Sequence, residues 1–188
     1  MPMPLLIAAV AGYLLGALPF GYLVARAHGV DIFKAGSGNP GATNVRRVLG
    51  KRAGNLVFIL DVLKGAAAVA WPIVYLHLTA APDPGPLTAA GLLQLRMSVT
   101  GLGAALIGHS FSCFTRFRGG KGVATGVGGF AVLFPLGALI AIAVFALVLA
   151  VSRYVSLASI LGAATLPLSA WLLQPSRLLI GVTATVAA

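Results

Sequence analysis

Residues 123–151 read VATGVGGFAVLFPLGALIAIAVFALVLAV, an apolar run that contains no charged side chain. A helix that spans a bilayer needs about 20 such residues, so this run is too long for one ordinary span. Pro135 stands inside the run, and proline ends or kinks a helix. The stretch therefore predicts two membrane spans joined by a tight turn, and with them an all-α integral membrane fold.

Further apolar runs lie on both sides of this pair. Four more runs have the length of a span, and an unfinished one follows them: residues 5–25, 56–78, 91–107, 155–173 and 178–188. The sequence therefore predicts a polytopic bundle of about seven transmembrane helices, the last of them truncated. We expect residues 1–188 to form a single transmembrane domain with no soluble domain attached.

The composition supports a membrane fold. Hydrophobic residues make up 59% of the chain, charged residues make up 9%, and the mean hydropathy is +1.01. Soluble domains carry roughly 25% charged residues, so lipid must surround most of this surface. The formal net charge of +10 also suits nucleic-acid binding, but the bases flank apolar runs instead of covering a polar face. We therefore expect the lipid bilayer, and no nucleic acid, as a partner.

The basic residues predict the orientation in the membrane. If the spans alternate, ten bases fall on one side, in residues 26–52 (the first basic segment), in residues 108–122 (the second basic segment) and at Arg153. Loops rich in lysine and arginine stay in the cytoplasm. The sequence thus predicts an outside N-terminus and a site that faces the cytoplasm of a bacterial inner membrane.

The first basic segment contains a candidate phosphate site. Residues 36–44 read GSGNPGATN, and Arg46 and Arg47 follow almost directly. Backbone N–H groups freed by glycine, next to cationic side chains, suit a phosphate group. A flexible linker is the alternative, although a linker does not need two asparagines, a serine and a threonine between its glycines. The G-x-G-x-x-G spacing is typical of dinucleotide folds, but a membrane span precedes it in place of a strand.

The second basic segment leads into a similar pattern. His109 lies near its start, and residues 117–125 read FRGGKGVAT. A phosphate beside Lys121 would meet an ammonium group, free N–H groups and a predicted helix N-terminus. Gly122 follows the lysine, which excludes a Walker A loop. A lysine that extends to the membrane surface is the alternative. For His109, a general base and a helix cap are both compatible with the sequence.

Charged residues also occur inside a predicted span. Asp61 and Lys64 lie three residues apart on one helical face. Charges within a membrane pair with each other or line a polar cavity, so we expect a structural ion pair. The alternative is that Lys64 reaches the anionic site. Cys113 is the only cysteine and the three histidines are scattered, so we expect no metal site.

Four stretches together resemble the bacterial acyl-phosphate:glycerol-3-phosphate acyltransferases, the PlsY family. They are residues 37–44, 108–109, 117–125 and 153–159, and their order and spacing match across nearly the whole chain. The resemblance implies an enzyme that moves a fatty acyl group from acyl phosphate to the sn-1 hydroxyl of glycerol 3-phosphate. The products would be lysophosphatidic acid and phosphate, in the first acylation of phospholipid synthesis. It implies no cofactor and no metal, and we expect a monomer.

The resemblance also implies the site residues. Catalytic roles fall on four residues: Ser37, Arg47, His109 and Lys121. Substrate and phosphate binding falls on a larger group: Gly38, Asn39, Gly41, Thr43, Asn44, Arg118, Gly119, Gly120, Gly122, Thr125, Ser156 and Ser159. Arg118 stands where a lysine is common in the family, which keeps the charge and changes the donor geometry.

The C-terminal end of the sequence departs from the family pattern, and two functions other than acyl transfer are also considered. The family usually ends in a segment of the type H-x-x-N-I-x-R-L, and this chain has no histidine beyond His109. We therefore expect either a fragment or a chain that lacks this tail, which would put its activity in doubt. A transporter for an organic phosphate is an alternative, although transporters often show repeated halves and none is evident here. The second alternative is that the chain is a truncated, inactive relic of such an enzyme.

Overall fold

The computed structural model describes residues 2–79, 88–173, 181 and 183–184, and these residues form helices joined by short irregular stretches. In chain order the helices are α1 (Pro2–Ala17), α2 (Phe20–Ala27), α3 (Ala42–Leu49), α4 (Lys51–Thr79), α5 (Ala89–Ser110), α6 (Val123–Leu133), α7 (Pro135–Ser152) and α8 (Val155–Leu173). A 3-10 helix, Cys113–Thr115, follows α5. The chain divides into two compact units, Met1–Gly129 and Phe130–Ala188.

The predicted all-α membrane class is confirmed. Five helical segments are long and apolar enough to cross a membrane: Met3–Ala27, Lys51–Leu78, Ala89–Thr115, Pro135–Ser152 and Val155–Leu173. Large apolar side chains are exposed along them, for example Leu147 and Val151, as lipid contact requires. Helix α6 is apolar but has only 11 residues. The count of seven spans and the orientation of the N-terminus stay predictions.

The first predicted span, residues 5–25, is one apolar segment but not one continuous helix. Helix α1 ends at Ala17 and α2 begins at Phe20. Pro19 has no N–H to donate, and its ring disfavours a helical conformation at Leu18. The hydropathy pattern missed this interruption, which we call the helix break (Ala17–Phe20), because all of its residues are apolar.

The first basic segment was expected to be a loop, and this is wrong for part of it. Residues 42–49 form α3, and α4 already begins at Lys51. Helix α3 is amphipathic, and its Val45 packs into a buried cluster with Ala25 and Val57. This cluster fastens the segment to α2 and α4. Residues 30–41 therefore connect two helices, α2 and α3, that are both held by this buried cluster.

Helix α1 packs closely against α5. A Cβ atom on Gly16 would collide with the backbone of Ala105, so only glycine permits this approach. Small residues at a helix interface bring backbones together in the same way in other membrane bundles. Because of this contact, the C-terminal end of α1 lies beside the C-terminal end of α5. A second close approach, of Gly65 to the backbone of Thr125, brings the start of α6 against α4.

The second unit contains a helical hairpin. Helix α7 begins at Pro135, so the predicted division of the long apolar run at this proline is confirmed. Arg153 ends α7 in a left-handed conformation, with φ 61°, and α8 starts two residues later. Gly162 of α8 lies against Phe145 of α7. Residues 82–86 read PDPGP, which predicts a turn. This stretch lies outside the described residues, as does most of the last apolar run, residues 178–188.

Candidate active site

A small pocket opens within the first unit, at the helix break, and its empty space together with the open solvent at its mouth amounts to about 250 Å³. Its walls come from the break, from α4, from the end of α5 and from both basic segments. The lining residues are Ala17, Leu18, Pro19, Phe20, Gly21, Pro40, Asp61, Lys64, His109, Ser112, Arg118, Gly119 and Gly120. The two glycine-rich stretches that were predicted to bind phosphate, residues 36–44 and 117–125, therefore reach one pocket. The first does so through Pro40 and the second through residues 118–120.

The break leaves backbone carbonyl groups that the helix itself does not satisfy. The last carbonyls of a helix have no donor four residues further on. Here the Leu18 carbonyl accepts a hydrogen bond from Lys64 Nζ at 2.9 Å, and the Ala17 carbonyl accepts one from Ser112 Oγ. Side chains from α4 and from the second basic segment thus hold the break.

Asp61 and Lys64 form the predicted ion pair. The Nζ and Oδ1 atoms are 2.9 Å apart, and the two residues expose only 3% and 4% of their surface. The pair lines the pocket, and the ammonium group also lies 5.6 Å from the centre of the Phe20 ring. The pocket lining thus contains a buried cation whose charge is balanced by a neighbouring carboxylate.

His109 joins the buried pair to the glycine-rich stretch. Its Nδ1 lies 3.7 Å from Asp61 Oδ1 and 3.2 Å from Thr125 Oγ1. Its backbone carbonyl accepts a hydrogen bond of 3.1 Å from the Gly120 N–H. Its Nε2 faces Gly120, since a Cβ atom there would collide with this nitrogen. His109 therefore caps the glycine stretch through its backbone and presents its ring to the pocket, so both expected uses are compatible with its position.

Arg118 connects the two basic segments. Its guanidinium group lies 4.2 Å from the centre of the Phe33 ring, within the range of a cation–π contact. Gly119 and Gly120 continue into the pocket wall, whereas the Lys121 side chain is exposed next to it. Helix α6 begins two residues after Lys121, so the predicted helix start after the lysine is confirmed. Cationic side chains and a helix N-terminus thus flank the pocket on this side.

In the first basic segment, Asn44 organises the turn. Asn44 is buried, its Nδ2 donates to the carbonyls of Ala35 and Asn39 at 3.0 and 2.9 Å, and its Oδ1 accepts from the Ser37 N–H at 2.9 Å. The Asn39 side chain accepts from the Gly41 N–H at 2.8 Å. Both asparagines use side-chain atoms inside the turn, so their expected contact with substrate stays a prediction.

The other predicted site residues fall into three groups. Ser37, Thr43 and Arg47 have exposed side chains on the first basic segment, next to the stretch that reaches the pocket. Ser156 and Ser159 lie in the first turns of α8, in the second unit, where Ser159 Oγ donates to the Val155 carbonyl at 2.9 Å. Gly38, Gly41 and Gly122 do not line the pocket themselves but lie within three residues of Pro40 or Gly120.

Three polar lining residues, Asp61, Lys64 and Ser112, were not among the predicted site residues, although Lys64 was considered as an alternative. The available signal was the pair of charges inside a span, since such charges often line a polar cavity. Ser112 gives no comparable signal. Among the described residues, no group of three histidine, cysteine or acidic side chains is arranged to hold a metal ion.

Known proteins are similar to this chain over most of its length. Residues 6–188 match the family model described as glycerol-3-phosphate acyltransferase. The glycerol-3-phosphate acyltransferase of Geotalea daltonii is 43% identical over 183 residues, which cover 97% of this chain and 86% of that protein. The enzyme of the same name from Geobacillus kaustophilus is 44% identical over 152 residues, or 80% of this chain and 68% of that protein.

Two solved structures have the same fold. The crystal structure of PlsY, an integral membrane glycerol 3-phosphate acyltransferase, in its glycerol 3-phosphate form has a TM-score of 0.83 and 33% identity. The lysophosphatidic acid form has a TM-score of 0.81 and the same identity. Each match covers 97% of this chain and 84% of the solved chain.

Proposed function

The chain belongs to the glycerol-3-phosphate acyltransferase family, as its motifs predicted, and we propose that it makes lysophosphatidic acid at the pocket beside the helix break. The acceptor is the sn-1 hydroxyl of glycerol 3-phosphate. The donor is a fatty acyl phosphate, and inorganic phosphate is the second product. The glycerol 3-phosphate and lysophosphatidic acid forms of the related PlsY support this choice of acceptor and product.

The observation that carries the proposal is that both basic segments reach one pocket. Pro40 and Gly120 line it together, and the buried Lys64 lies at its floor. Both substrates are phosphates, so a pocket between two cationic, glycine-rich stretches suits them. Both are also brought close together, which lowers the entropic cost of the reaction.

The reaction needs little covalent chemistry from the protein. The hydroxyl oxygen attacks the acyl carbonyl carbon, a C–O bond forms, and the bond to the phosphate oxygen breaks. Phosphate leaves with the bonding electrons, and we assign the hydroxyl proton to His109, whose ring lines the pocket. Lys121, Arg47 and Ser37 bind and orient the phosphate groups in this assignment. Cations and N–H groups stabilise the charge that develops on oxygen.

Two substitutions test the site assignment. We expect Lys121→Ala and Ser37→Ala to lower lysophosphatidic acid formation by about 100-fold or more, because removing one group that stabilises developing charge typically has this effect. The assay is the conversion of glycerol 3-phosphate and acyl phosphate by membranes that contain equal amounts of each variant. Lys34→Ala is the matched control, since Lys34 is an exposed lysine of the first basic segment outside the assigned site.

The same assay also shows which results would contradict the assigned site residues. We expect Lys34→Ala to turn over within about two-fold of the parent, since surface pairs such as Lys34 with Asp31 contribute little. Parental turnover in both Lys121→Ala and Ser37→Ala would refute the site. Uptake of glycerol 3-phosphate into vesicles without any acylation would refute the reaction.

The proposal also includes the arrangement in the membrane. The pocket faces the cytoplasm of the bacterial inner membrane, the N-terminus lies outside, and the bundle has seven spans with α6 as one of them. The support is the group of ten bases that alternating spans place on one side. Residues 1–188 act as one acyltransferase domain and work as a monomer without a cofactor.

The single cysteine tests the orientation. Cys113 is exposed in the second basic segment. A membrane-impermeant maleimide should therefore label inside-out vesicles and leave right-side-out vesicles unlabelled. The opposite pattern would contradict a cytoplasmic pocket, and Cys113→Ala controls for labelling of other proteins. Light scattering of the purified protein, after subtraction of detergent, measures whether it is a monomer.

A further inference from the structure

The helix break frees backbone carbonyl groups beside the pocket, within the packed first unit. A backbone carbonyl without a donor is costly in a membrane, so irregular backbone persists there only where other groups satisfy it. At the break, Ser112 Oγ donates to Ala17 and Lys64 Nζ donates to Leu18. Both donors come from elements distant in sequence, α4 and the second basic segment. The break is therefore a point where three parts of the chain are joined by hydrogen bonds, and we call it the junction.

Lys64 is held rigidly at this junction. Its ammonium group has three protons to donate. One is directed to Asp61 Oδ1 and one to the Leu18 carbonyl, each across 2.9 Å. The side chain is buried, so it has little freedom to move. Asp61 lies near His109 in turn, at 3.7 Å from Nδ1.

Ser112 joins the break to the second basic segment. While its hydroxyl donates to Ala17, its own carbonyl accepts from the Phe117 N–H at 2.8 Å. The residues that follow lead directly into the pocket wall at Gly119.

The break also contacts the first basic segment. Gly21, in the first turn of α2, lies so close to the Pro40 carbonyl that a Cβ atom would not fit between them. Residues from both basic segments are thus placed against the same interruption of one helix.

From these contacts we propose that Lys64 and Ser112 are positioning residues for acyl transfer. By satisfying the two carbonyls of the break, they hold the two basic segments at the separation that the bound phosphates need. Neither residue has to touch substrate in this role. The inference rests on the proposed function, because positioning is defined by the reaction that it serves.

The first test compares two buried serines. Ser112→Ala removes the donor at the break, whereas Ser98→Ala removes an equivalent donor, since Ser98 Oγ donates to the Val69 carbonyl at 3.0 Å in the α4–α5 interface. We expect Ser112→Ala to lower kcat about 10-fold or more with KM for glycerol 3-phosphate changed by less than about three-fold, because small misplacements of reacting groups reduce turnover steeply. Ser98→Ala should stay within about two-fold of the parent in both constants. Equal kcat values for the two variants would overturn the role of Ser112.

The second test separates positioning by Lys64 from simple stability. Lys64→Met leaves Asp61 buried without its partner, so it should lower both the melting temperature and turnover. The double variant Asp61→Asn with Lys64→Met removes both charges. We expect it to regain most of the melting temperature but not the turnover, since the Leu18 carbonyl loses the bond that ties the break to α4 and keeps only the Phe20 N–H, at 3.1 Å, within the break itself. Recovery of turnover together with stability would overturn the role of Lys64.

Hydrogen exchange distinguishes failure of this inference from failure of the proposed function. If the parent forms no lysophosphatidic acid, the proposed function is wrong whatever the variants do. Even then, Ser112→Ala should exchange faster than Ser98→Ala at the amides of residues 20–22 and 119–122. Identical exchange in these two stretches would overturn the junction itself.

Discussion

The two basic segments reach the same pocket but are held in different ways. In the first segment, Asn44 makes three hydrogen bonds to backbone groups between Ala35 and Asn39, so a side chain holds the turn from within. The second segment has internal hydrogen bonds as well, such as the Phe117 N–H to the Ser112 carbonyl, but it is also tied to two helices, through Ser112 to Ala17 of α1 and through Gly120 to His109 of α5. The position of the second turn thus depends on the helical bundle more directly than that of the first.

This difference indicates how each stretch fails. Damage to the first segment should stay local, since its hydrogen bonds begin and end within ten residues of each other. Damage to the second should spread to α1 and α5, because those helices hold it. The proposed site thus combines a preformed turn with one whose geometry follows the packing of the membrane helices.

The largest effect is expected at Asn44, because its substitution should disrupt the turn of the first basic segment without disturbing the rest of the structure. Asn44→Ala removes three hydrogen bonds, worth about 1 kcal/mol each, and leaves buried groups unpaired. We expect lysophosphatidic acid formation to fall about 100-fold or more, a loss of roughly 3 kcal/mol in transition-state stabilisation. Turnover and hydrogen exchange of residues 35–44 measure it.

Asn55→Ala is the control for this prediction, since Asn55 is exposed on α4. Faster exchange confined to residues 35–44 would support a self-supporting turn. If residues 118–122 exchanged equally fast, the two segments would not differ in the way described here.

A smaller effect is expected at Gly120, which tests the second basic segment in the way that Asn44 tests the first. Gly120→Ala places a methyl group against His109 Nε2, so the glycine stretch must move away from α5. We expect kcat to fall about 10-fold, as for a displacement of the order of 1 Å. Steady-state kinetics at saturating acyl phosphate measures this change.

Gly103→Ala is the matched control. Gly103 lies within α5 and has open space where its Cβ atom would stand. Alanine is favoured over glycine in a helix by about 1 kcal/mol, so this variant should be as stable as the parent or slightly more stable. A similar loss of turnover in both variants would show that α5 tolerates no added methyl group, and that the contact with His109 is not the cause.

Thr125 tests the polar contact of the histidine. Its hydroxyl lies 3.2 Å from His109 Nδ1, and the residue is fully buried. Thr125→Val keeps the shape and removes the hydroxyl, at a cost of about 1 kcal/mol, or roughly five-fold in kcat. Thr125→Ser should restore most of the turnover, and failure of this rescue would point to packing as the role of Thr125.

The smallest effect is expected at Arg118, which joins the two segments. Arg118→Lys keeps the positive charge but loses the flat group that stacks on Phe33. Cation–π contacts at exposed sites are worth about 0.5–1 kcal/mol, so KM for glycerol 3-phosphate should rise about two- to five-fold. An unchanged KM would mean that the contact does not help to hold the segments together.

The sequence predicted the membrane class and the main spans, because length and hydropathy determine them. It also predicted the boundary at Pro135, where a proline falls inside a run too long for one helix. It did not predict the break at Pro19, because a 21-residue apolar run satisfies the length rule whether or not it is continuous. The short helix α3 was missed as well: its amphipathic pattern is present in the sequence, but its eight residues are too few for the length rule that detects membrane spans.

The site was predicted in part for a similar reason. Glycine-rich stretches with nearby bases indicate phosphate binding locally, and residues 118–120 of the second stretch do line the pocket. Their contact with phosphate stays a prediction. That Asp61 and Lys64 line the same pocket depends on how α1, α4 and α5 pack, which no local pattern encodes. Ser112 resembles any other serine in sequence, and its importance follows from the carbonyl it meets.

The central claim is that both basic segments contribute to one phosphate pocket. Hydrogen exchange of the protein in nanodiscs, with and without saturating glycerol 3-phosphate, tests it most directly, with glycerol as the control ligand. The account predicts slower exchange in residues 36–41 and in residues 118–122 at the same ligand concentration, and no change with glycerol. Protection of only one of these stretches, or of neither, would contradict it.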